Sequence, residues 1–496
     1  MEKIPIGIDL GDNCFRICYL KDKIPQVLSD SMGNMSFPSK VSFQQNGKCF
    51  VGHDAELFGA PENTVMHQIT IAGLPFSELE KLNDQHVYQF CSDRNGSYID
   101  AHRVYPRVND FLVEIFKFIS NLVKERLNKE IEFAVIAIPD GSHNPKRIAI
   151  RDAAELAGIS VRQLVNQTIA AGLGFNLHRL SEFPRRNIAV IDIGASHSSM
   201  TIIECYEKKV AANEIAHCRI GTNIFQRRLA QFIAEKHKQE SGYDILANDQ
   251  YGFFWQSLLI EAGFALVDLS TNSNITVAVG GIGINGSRVI VDVSRDEFNS
   301  LISDDLQEIR NTIKCYRNAP GTICAVYVVG GGSAIPVIQE MVSQIYDNIA
   351  TRVDYSDPSA AVLGSAIKAG IYSGVIDANV VEITAFDLGT FYRNYEMDVL
   401  ISKGATIPHK SYPKRYGIHG HYTEKVYQWI GEGTGQDKSE DEPDVIVLCN
   451  QDLFIWGDAV TNQFIIDESG IVTFVVVDLG KNIEYILDNY NVDSVE

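Results

Sequence analysis

Residues 187–203, NIAVIDIGASHSSMTII, decide the fold of this chain. The apolar run 188–191 leads into Asp192 and then Gly194, and a second apolar run closes the stretch. This pattern predicts a buried strand, a tight turn and a returning strand, with one carboxylate at the end of the first strand. Because glycine carries no side chain, the backbone of the turn can lie close to whatever binds there.

The same arrangement opens the chain. Residues 4–8 are an apolar run that leads into Asp9 and Gly11, and another apolar run follows the turn. Two copies predict two similar lobes that face each other. Such turns present backbone N–H groups to phosphates from both sides, while Asp9 and Asp192 would hold a cation. Most isolated Asp-x-Gly turns are merely turns, so the prediction depends on the second copy and on the later glycines 330–332.

Length and composition narrow the class of protein. With 496 residues, 43 of them basic and 63 acidic, and a net charge of −20, the chain is too long for one core and too acidic to bind nucleic acid along its whole surface. No apolar run approaches the roughly 20 residues that cross a bilayer, and the N-terminus lacks a signal pattern. The 9 cysteines are scattered, which is typical of reduced thiols in a cytoplasmic protein.

The pattern of the sequence changes near residue 380. Before it, apolar residues recur at helical spacing between short apolar runs, and after it only short alternating segments follow. Periodicity predicts helices over 108–127, 145–156, 224–240, 242–266 and 295–317, among others. We therefore predict a domain over 1–375, with lobe I at about 1–182 and 355–375 and lobe II at about 183–354, a linker over 376–383, and an all-β domain over 384–496.

Taken together, these motifs resemble the DnaK-type heat-shock protein 70 chaperone family. The resemblance implies a two-lobed α/β, actin-like ATPase fold with duplicated ribonuclease H-like domains, followed by a β-sandwich like the family's peptide-binding domain. The segments that match family motifs, in family order, are 7–11, 134–139, 166–171, 192–194, 328–336, 361–374, 400–408 and 467–474. These matches cover nearly the whole chain.

The resemblance also implies a nucleotide site. ATP is a candidate ligand, with Mg²⁺ if it binds, and Asp9 and Asp192 are the predicted metal residues. Asp12 and Asn13 replace two family threonines, and a carboxylate there repels phosphates unless a cation lies between them. For glycines 330–332 the alternative interpretation is close helix packing. The predicted cofactor-binding residues are Asp9, Gly11, Asp12, Asn13, Asp192, Gly194, Ala195, Gly330, Gly331 and Gly332.

The catalytic positions of the family are replaced, so we predict no catalytic residue. Ile69 stands at the position of the catalytic lysine and Gln167 at that of the glutamate. His197 and Ser199 stand in the second phosphate loop, where threonine and aspartate are expected. Glutamine carries no negative charge and is no general base. The sequence therefore favours little or no ATP hydrolysis, and His197 is either a base or sensor or a polar filler.

Two further departures narrow the resemblance. Almost nothing follows the last predicted strand, where the family has a helical lid, and residues 374–383 lack the family's acidic, leucine-rich linker. The chain thus resembles the atypical lidless members that pair with a zuotin-type J-domain protein in the ribosome-associated complex. This implies a cytoplasmic scaffold whose partners are that J-domain protein, the ribosome, the nascent polypeptide and a second, active heat-shock 70-type chaperone. It implies no direct DNA contact and no membrane contact.

Three functions have to be distinguished. The first is a non-hydrolysing scaffold and co-chaperone that assists nascent-chain folding. The second is an autonomous ATP-dependent folding chaperone with a divergent active site. The third is another actin-fold class, such as a sugar kinase, which the segment LISKGATIP at 400–408 disfavours. ATP turnover and stoichiometric co-purification with a J-domain protein distinguish the first function from the second.

Overall fold

A mixed sheet of mostly apolar strands forms the first lobe. The computed structural model describes residues 1–60, 63–66, 68–83, 88–94, 96–101, 105–180, 185–249, 252–314, 323–346, 353–355, 358–391, 397–417, 420–429, 445–455 and 459–487. The strands of the first lobe are β1 (Lys3–Leu10), β2 (Cys14–Lys21), β3 (Ile24–Val27), β4 (Phe37–Pro38), β5 (Val41–Phe43), β6 (Cys49–Val51), β7 (Thr64–Val65), β8 (Gln89–Asp93), β9 (Gly96–Asp100), β10 (Glu130–Ile138) and β11 (Val161–Asn166). The helices are α1 (His53–Phe58), α2 (Gln68–Ile71), α3 (Phe76–Glu80), α4 (Asp110–Leu127), α5 (Asn144–Leu156), α6 (Gln167–Gly174) and α7 (Leu177–Leu180). β1 pairs in parallel with β10 and β10 with β11, whereas β2 and β3 extend the sheet antiparallel on the other side.

The second lobe repeats this order of strands. Its strands are β12 (Arg186–Ile193), β13 (Ser198–Tyr206), β14 (Lys209–Cys218), β15 (Asn274–Val279), β16 (Val289–Ser294), β17 (Ile323–Val329) and β18 (Val353–Tyr355). Its helices are α8 (Thr222–Ser241), α9 (Phe253–Thr271), α10 (Arg295–Leu301), α11 (Ser303–Lys314) and α12 (Pro336–Tyr346). β12 pairs in parallel with β17 and β17 with β18, while β13 and β14 continue antiparallel. The predicted duplication is confirmed, because β1 and β12 occupy equivalent places in their sheets. Each lies between a parallel strand and the antiparallel strand that follows it in the sequence, and each carries its aspartate near its end.

Two predicted helices are wrong in their extent. The range 242–266 is not one helix, since a single 3-10 turn (Leu246–Asn248) comes first and α9 begins only after Gly252, whose φ is +74°. The range 295–317 holds two helices instead of one, because Ile302 leaves helical geometry at φ −103°, ψ 10° between α10 and α11. The side chain of Ile302 is fully buried, so packing, which the periodicity does not reveal, accompanies the break.

A helix of small residues holds the first lobe together. Helix α13 (Ala360–Tyr372) packs against α6 and β1. A Cβ atom at Gly364 would lie 1.6 Å from the carbonyl oxygen of Ala170, and one at Gly174 would lie 2.0 Å from that of Ala360. Any larger residue at either glycine would collide with backbone, so the two helices can approach this closely only through glycine.

The last part of the described chain is a two-sheet β module. Its strands, preceded by β19 (Asn379–Ile383), are β20 (Asp387–Phe391), β21 (Met397–Ile401), β22 (Thr406–Ile407), β23 (His409–Lys410), β24 (Lys414–Tyr416), β25 (Gly420–Trp429), β26 (Val445–Ile455), β27 (Val460–Ile466), β28 (Val472–Asp478) and β29 (Ile483–Leu487). One sheet has the order β21-β20-β25-β26, and the other contains β23, β24, β27, β28 and β29. Phe464 and Phe474 are cross-strand partners in the second of these sheets, with ring centroids 4.6 Å apart, and they belong to one buried cluster with Leu388 and Leu448 of the first sheet. The domain boundaries and the lack of a lid stay predictions.

Strand β19 lies within the range predicted as a linker and joins the sheet of the second lobe. It pairs in parallel with β14, with Val210 opposite Val380, and antiparallel with β22. Glu382 is buried and accepts hydrogen bonds from Gln163 Nε2 at 2.9 Å and from the Asn166 backbone N–H at 3.2 Å. The segment is therefore tied to both lobes at once.

The loop between β27 and β28 docks on the first lobe. The Ser469 carbonyl accepts a hydrogen bond from Arg147 Nη1 at 2.7 Å, and its hydroxyl accepts one from the Leu164 N–H at 3.1 Å. The Val472 N–H donates to Asn144 Oδ1 at 2.8 Å. Asn144, Arg147 and Ser469 are all buried, so these hydrogen bonds are sheltered from water.

Helix α9 corrects the expectation that no apolar run approaches the length needed to cross a bilayer. By length and composition alone it could cross a membrane, although core helices of soluble proteins pass the same test. It packs against α8 and β15 and buries Leu258, Ala262 and Ala265. On its other side Phe264 and Val267 are exposed. The expectation of no membrane partner stays a prediction.

Replacing Gly364 by alanine tests the close helix crossing. The added methyl group collides with the Ala170 carbonyl, so we expect a loss of about 3 kcal/mol in the free energy of unfolding, measured by urea denaturation. Gly280→Ala is the matched control, because Gly280 has no atom within 4 Å of its Cβ position. Equal stability of the two variants would contradict the crossing.

Candidate functional site

Asp9 lies near the end of β1 and is surrounded by side chains of its own lobe. Its Oδ1 accepts a hydrogen bond from Gln167 Nε2 at 2.8 Å. Its Oδ2 lies 3.6 Å from Arg16 Nη1, because Asp9 and Arg16 are directly opposite each other in the β1–β2 pair. Burial raises the pKa of Asp9, and the Arg16 charge and the Gln167 hydrogen bond oppose that rise.

Asp192 occupies the equivalent place near the end of β12. Burial, reinforced by the nearby Asp140 and Asp9 carboxyls, raises the pKa of Asp192 to about 8. Of the glycines 330–332, Gly330 lies against Asp192, whereas Gly332 lies against Ile193 and Thr222. A Cβ atom at Gly330 would lie 2.3 Å from Asp192 Oδ1, and Gly330 has a φ of +83°. Only glycine fits there.

Asp12 joins the two lobes. Its Oδ1 accepts a hydrogen bond from the Thr70 N–H at 3.0 Å, and its Oδ2 accepts one from Thr70 Oγ1 at 2.8 Å. Asn223 Nδ2, at the start of α8 in the other lobe, also donates to Oδ2 at 3.3 Å. The carboxylate predicted to face phosphates is thus buried and bound to protein donors. Asn13 beside it is exposed, and Gly11 closes the turn by donating to the Cys14 carbonyl at 3.1 Å.

The turn that follows β12, residues 194–197, is hydrogen-bonded to the N-terminus of α8. The Thr222 N–H donates to the Gly194 carbonyl at 3.0 Å, and the Asn223 N–H donates to the Ala195 carbonyl at 2.8 Å. The Gly194 N–H closes the turn onto the His197 carbonyl at 2.9 Å. The first N–H groups of α8 therefore bind the turn itself, although a helix N-terminus is well suited to bind an anion.

Three of the four residues at the positions predicted to replace catalytic groups have structural contacts. Ile69 is fully buried in the core of the first lobe, and its side chain carries no charge. Gln167 donates to Asp9, as described above. Ser199 Oγ donates to Asp140 Oδ2 at 3.3 Å, and Thr168 Oγ1 donates to the other oxygen of Asp140 at 2.6 Å.

His197 lies beside Asp192 without a hydrogen bond between their side chains. Its Nε2 is 3.8 Å from Asp192 Oδ2, and both ring nitrogens are buried without a hydrogen-bond partner in the described part of the chain. Burial, with the Lys146 charge, lowers the pKa of His197 to about 4. Because the pKa of Asp192 is raised, both groups are neutral near pH 7, and the contact is not an ion pair. A polar filler describes His197 better than a base.

The donor set at the strand ends does not fit a hydrated divalent cation. Mg²⁺ binds through one or two carboxylates and keeps several water molecules. Within the described ranges, no group of three or more His, Cys, Asp or Glu side chains is arranged to hold a metal. Both oxygens of Asp9 face protein donors, and the same holds for Asp12 and Asp140. The Asp9 carboxyl does act on Asp192, since it contributes to the raised pKa of Asp192.

Four residues of the site were not predicted from the sequence. Arg16 and Asp140 had a local signal, because Arg16 is a charge in the apolar strand CFRICYLK and Asp140 follows a buried strand and Pro139. Thr70 and Asn223 had none, since they reach Asp12 only through the fold of distant segments.

Comparisons with known proteins agree with the geometry. A family model described as "Hsp70 protein" matches residues 5–427. Chaperone protein DnaK from Buchnera aphidicola subsp. Schizaphis graminum is 28% identical over 430 residues, which cover 83% of this chain and 66% of that protein. The match to the family model covers both lobes and extends into the β module. The chain spans 66% of the length of the DnaK relative.

The raised pKa of Asp192 predicts a pH-dependent stability. The folded chain keeps this proton up to about pH 8, whereas the unfolded chain releases it near the ordinary value of 3.8. The contribution of Asp192 to the free energy of unfolding is therefore fully present below pH 4. It is lost as pH rises to 8, at up to about 1.4 kcal/mol per pH unit. Asp192→Asn has no proton to release, so its free energy of unfolding relative to the parent chain should increase from pH 5 to pH 8.

Urea denaturation at a series of pH values measures this difference. Asp54→Asn, the same change at an exposed position of α1, is the matched control. A difference for Asp192→Asn that stays constant between pH 5 and pH 8 would contradict the prediction.

Proposed function

The chain belongs to the Hsp70 protein family, and from that membership we propose that it is an atypical chaperone or co-chaperone that does not hydrolyse ATP. It acts in the cytoplasm as a scaffold that assists the folding of nascent chains at the ribosome, together with a J-domain protein of the zuotin type. A second, active member of the family supplies the ATP-driven step. The members of this family typically bind ATP with Mg²⁺, and ATP remains a candidate ligand of this chain.

One observation carries the proposal: three of the four residues that replace the catalytic groups, Ile69, Gln167 and Ser199, are engaged in structural contacts. Gln167 donates to Asp9, Ser199 donates to Asp140, and Ile69 is in the core. Phosphoryl transfer depends on positioning and on charge stabilisation. Single donors of this kind are commonly worth roughly 2–4 kcal/mol of the barrier. The loss of three of them together supports a chain that leaves ATP unhydrolysed.

The docked β module supports a scaffold. Strand β19 lies in the sheet of the second lobe, and the loop around Ser469 is bound to α5 and β11 of the first lobe. The contacts include the buried side chains of Asn144 and Glu382. A scaffold benefits from one stable arrangement of its domains, because a partner can then bind a preformed surface.

The partners rest on the sequence resemblance. A stable pair with a J-domain protein predicts that the two chains co-purify in equal amounts after co-expression, in salt high enough to remove weak charge contacts. An autonomous chaperone would purify alone. The ribosome and the nascent chain are tested by sedimentation of the pair with translating ribosomes.

The first test of the function is ATP turnover. Phosphate release at saturating ATP should stay at background, with and without a J-domain protein, because the groups that position water and stabilise charge are missing. Gln167→Glu should also stay at background, since one restored carboxylate does not replace the absent lysine. Turnover that a J-domain protein stimulates would overturn the scaffold function and favour the autonomous chaperone.

The docking contacts predict a protease-sensitive variant. Asn144→Ala with Ser469→Ala removes two buried hydrogen-bond partners, each worth roughly 1–3 kcal/mol. The undocked population should rise about 10-fold or more, and proteolysis between residues 373 and 384 should accelerate accordingly. Ser402→Ala, at an exposed serine of the same module, is the control. An unchanged cleavage rate in the double variant would contradict the docking.

A further inference from the structure

Two of the carboxylates between the lobes, Asp9 and Asp12, have their oxygens occupied by protein groups. The two oxygens of Asp9 face Gln167 and Arg16, and those of Asp12 take Thr70 and Asn223. A divalent cation needs carboxylate oxygens that are free to point at it or at its bound water. At Asp9 the cation's place beside Oδ2 is taken by a guanidinium.

The position of Arg16 follows from the register of the first hairpin. Asp9 and Arg16 are cross-strand partners in the antiparallel β1–β2 pair, so their side chains project from the same face of the sheet. The Arg16 side chain is 16% exposed and the Asp9 side chain 8% exposed. An arginine stays protonated at any physiological pH, so its charge is a permanent part of this centre.

We propose that the Arg16 guanidinium replaces the divalent cation at Asp9, so that the cleft of this chain does not hold Mg²⁺. This inference rests on the proposed function, because a centre that does not hydrolyse ATP has no need of a metal to stabilise the transferred phosphate. Arg16 neutralises the buried carboxylate from within the chain. Like charges repel at this distance, so Mg²⁺ would have to displace the guanidinium before it reached Asp9.

Mn²⁺ titration of the folded chain, followed by electron paramagnetic resonance, tests the proposal. The parent chain should show no stoichiometric Mn²⁺ binding in the micromolar range. Arg16→Ala frees Asp9 Oδ2 and leaves its charge unmatched, so this variant should bind Mn²⁺ at least ~10-fold more tightly. Arg16→Lys keeps the positive charge and should behave like the parent chain.

Two further variants make the result specific. Arg126→Ala removes an exposed arginine of α4 and should leave Mn²⁺ binding unchanged. Asp9→Asn combined with Arg16→Ala should abolish the new binding, because the proposed ligand is gone. Circular dichroism confirms folding, and Arg16→Gln replaces Arg16→Ala if the smaller side chain prevents folding.

Stability gives an independent measurement. Mg²⁺ at millimolar concentration should raise the melting temperature of Arg16→Ala by ~3 °C and leave that of the parent chain unchanged. Stoichiometric Mn²⁺ binding by the parent chain, or equal binding by the parent chain and Arg16→Ala, would overturn the proposal. Neither measurement uses ATP turnover, so a failure here is distinguishable from a failure of the scaffold function.

Discussion

Burial of four carboxylates between two lobes is the constraint on which the centre of this structure depends. Asp9, Asp12, Asp140 and Asp192 are each at most 6% exposed. A buried charge without a partner is very costly, so each carboxylate must find donors or take up a proton. Three of them find donors in the chain, and Asp192, which has none as close, has its pKa raised to about 8.

The donors that satisfy these carboxylates come from both lobes. Asp12 accepts hydrogen bonds from Thr70 in the first lobe and from Asn223 in the second. The carbonyl groups of the turn after β12 accept hydrogen bonds from the first N–H groups of α8. The two lobes are thus linked at this centre by contacts that the protein itself supplies.

Hydrogen bonds of two consecutive residues, Asn166 and Gln167, connect this centre to the docked β module. Gln167 binds Asp9 in the cleft, and its neighbour Asn166 accepts a hydrogen bond from Arg147 Nη2 at 2.8 Å. Arg147 also donates to the carbonyl of Ser469 in the docked loop. Consecutive residues at the end of β11 and the start of α6 therefore face the cleft and the β module. Both contacts consist of buried side chains, which favours a single arrangement of the domains.

The sequence by itself determined the repeated strand–turn–strand units, the amphipathic helix α4 and the change to an all-β module. These features depend on local periodicity and on glycine, which act over a few residues. Local periodicity failed at Ile302, where burial of one side chain accompanies the break between two helices. At the site, Gly330 lies against Asp192, while the binding roles of Asp9, Asp192 and the glycines 330–332 stay predictions.

Only the tertiary structure decided which donors and which cation contact the buried carboxylates between the lobes. The pairing of Asp12 with Asn223 and the docking of Ser469 on Arg147 join residues 211 and 322 positions apart. No local pattern encodes such a contact, because it depends on how whole lobes pack and on which buried charges must then be compensated. Even Arg16, only a hairpin away from Asp9, acquires its role from a strand register that places the two side chains on one face.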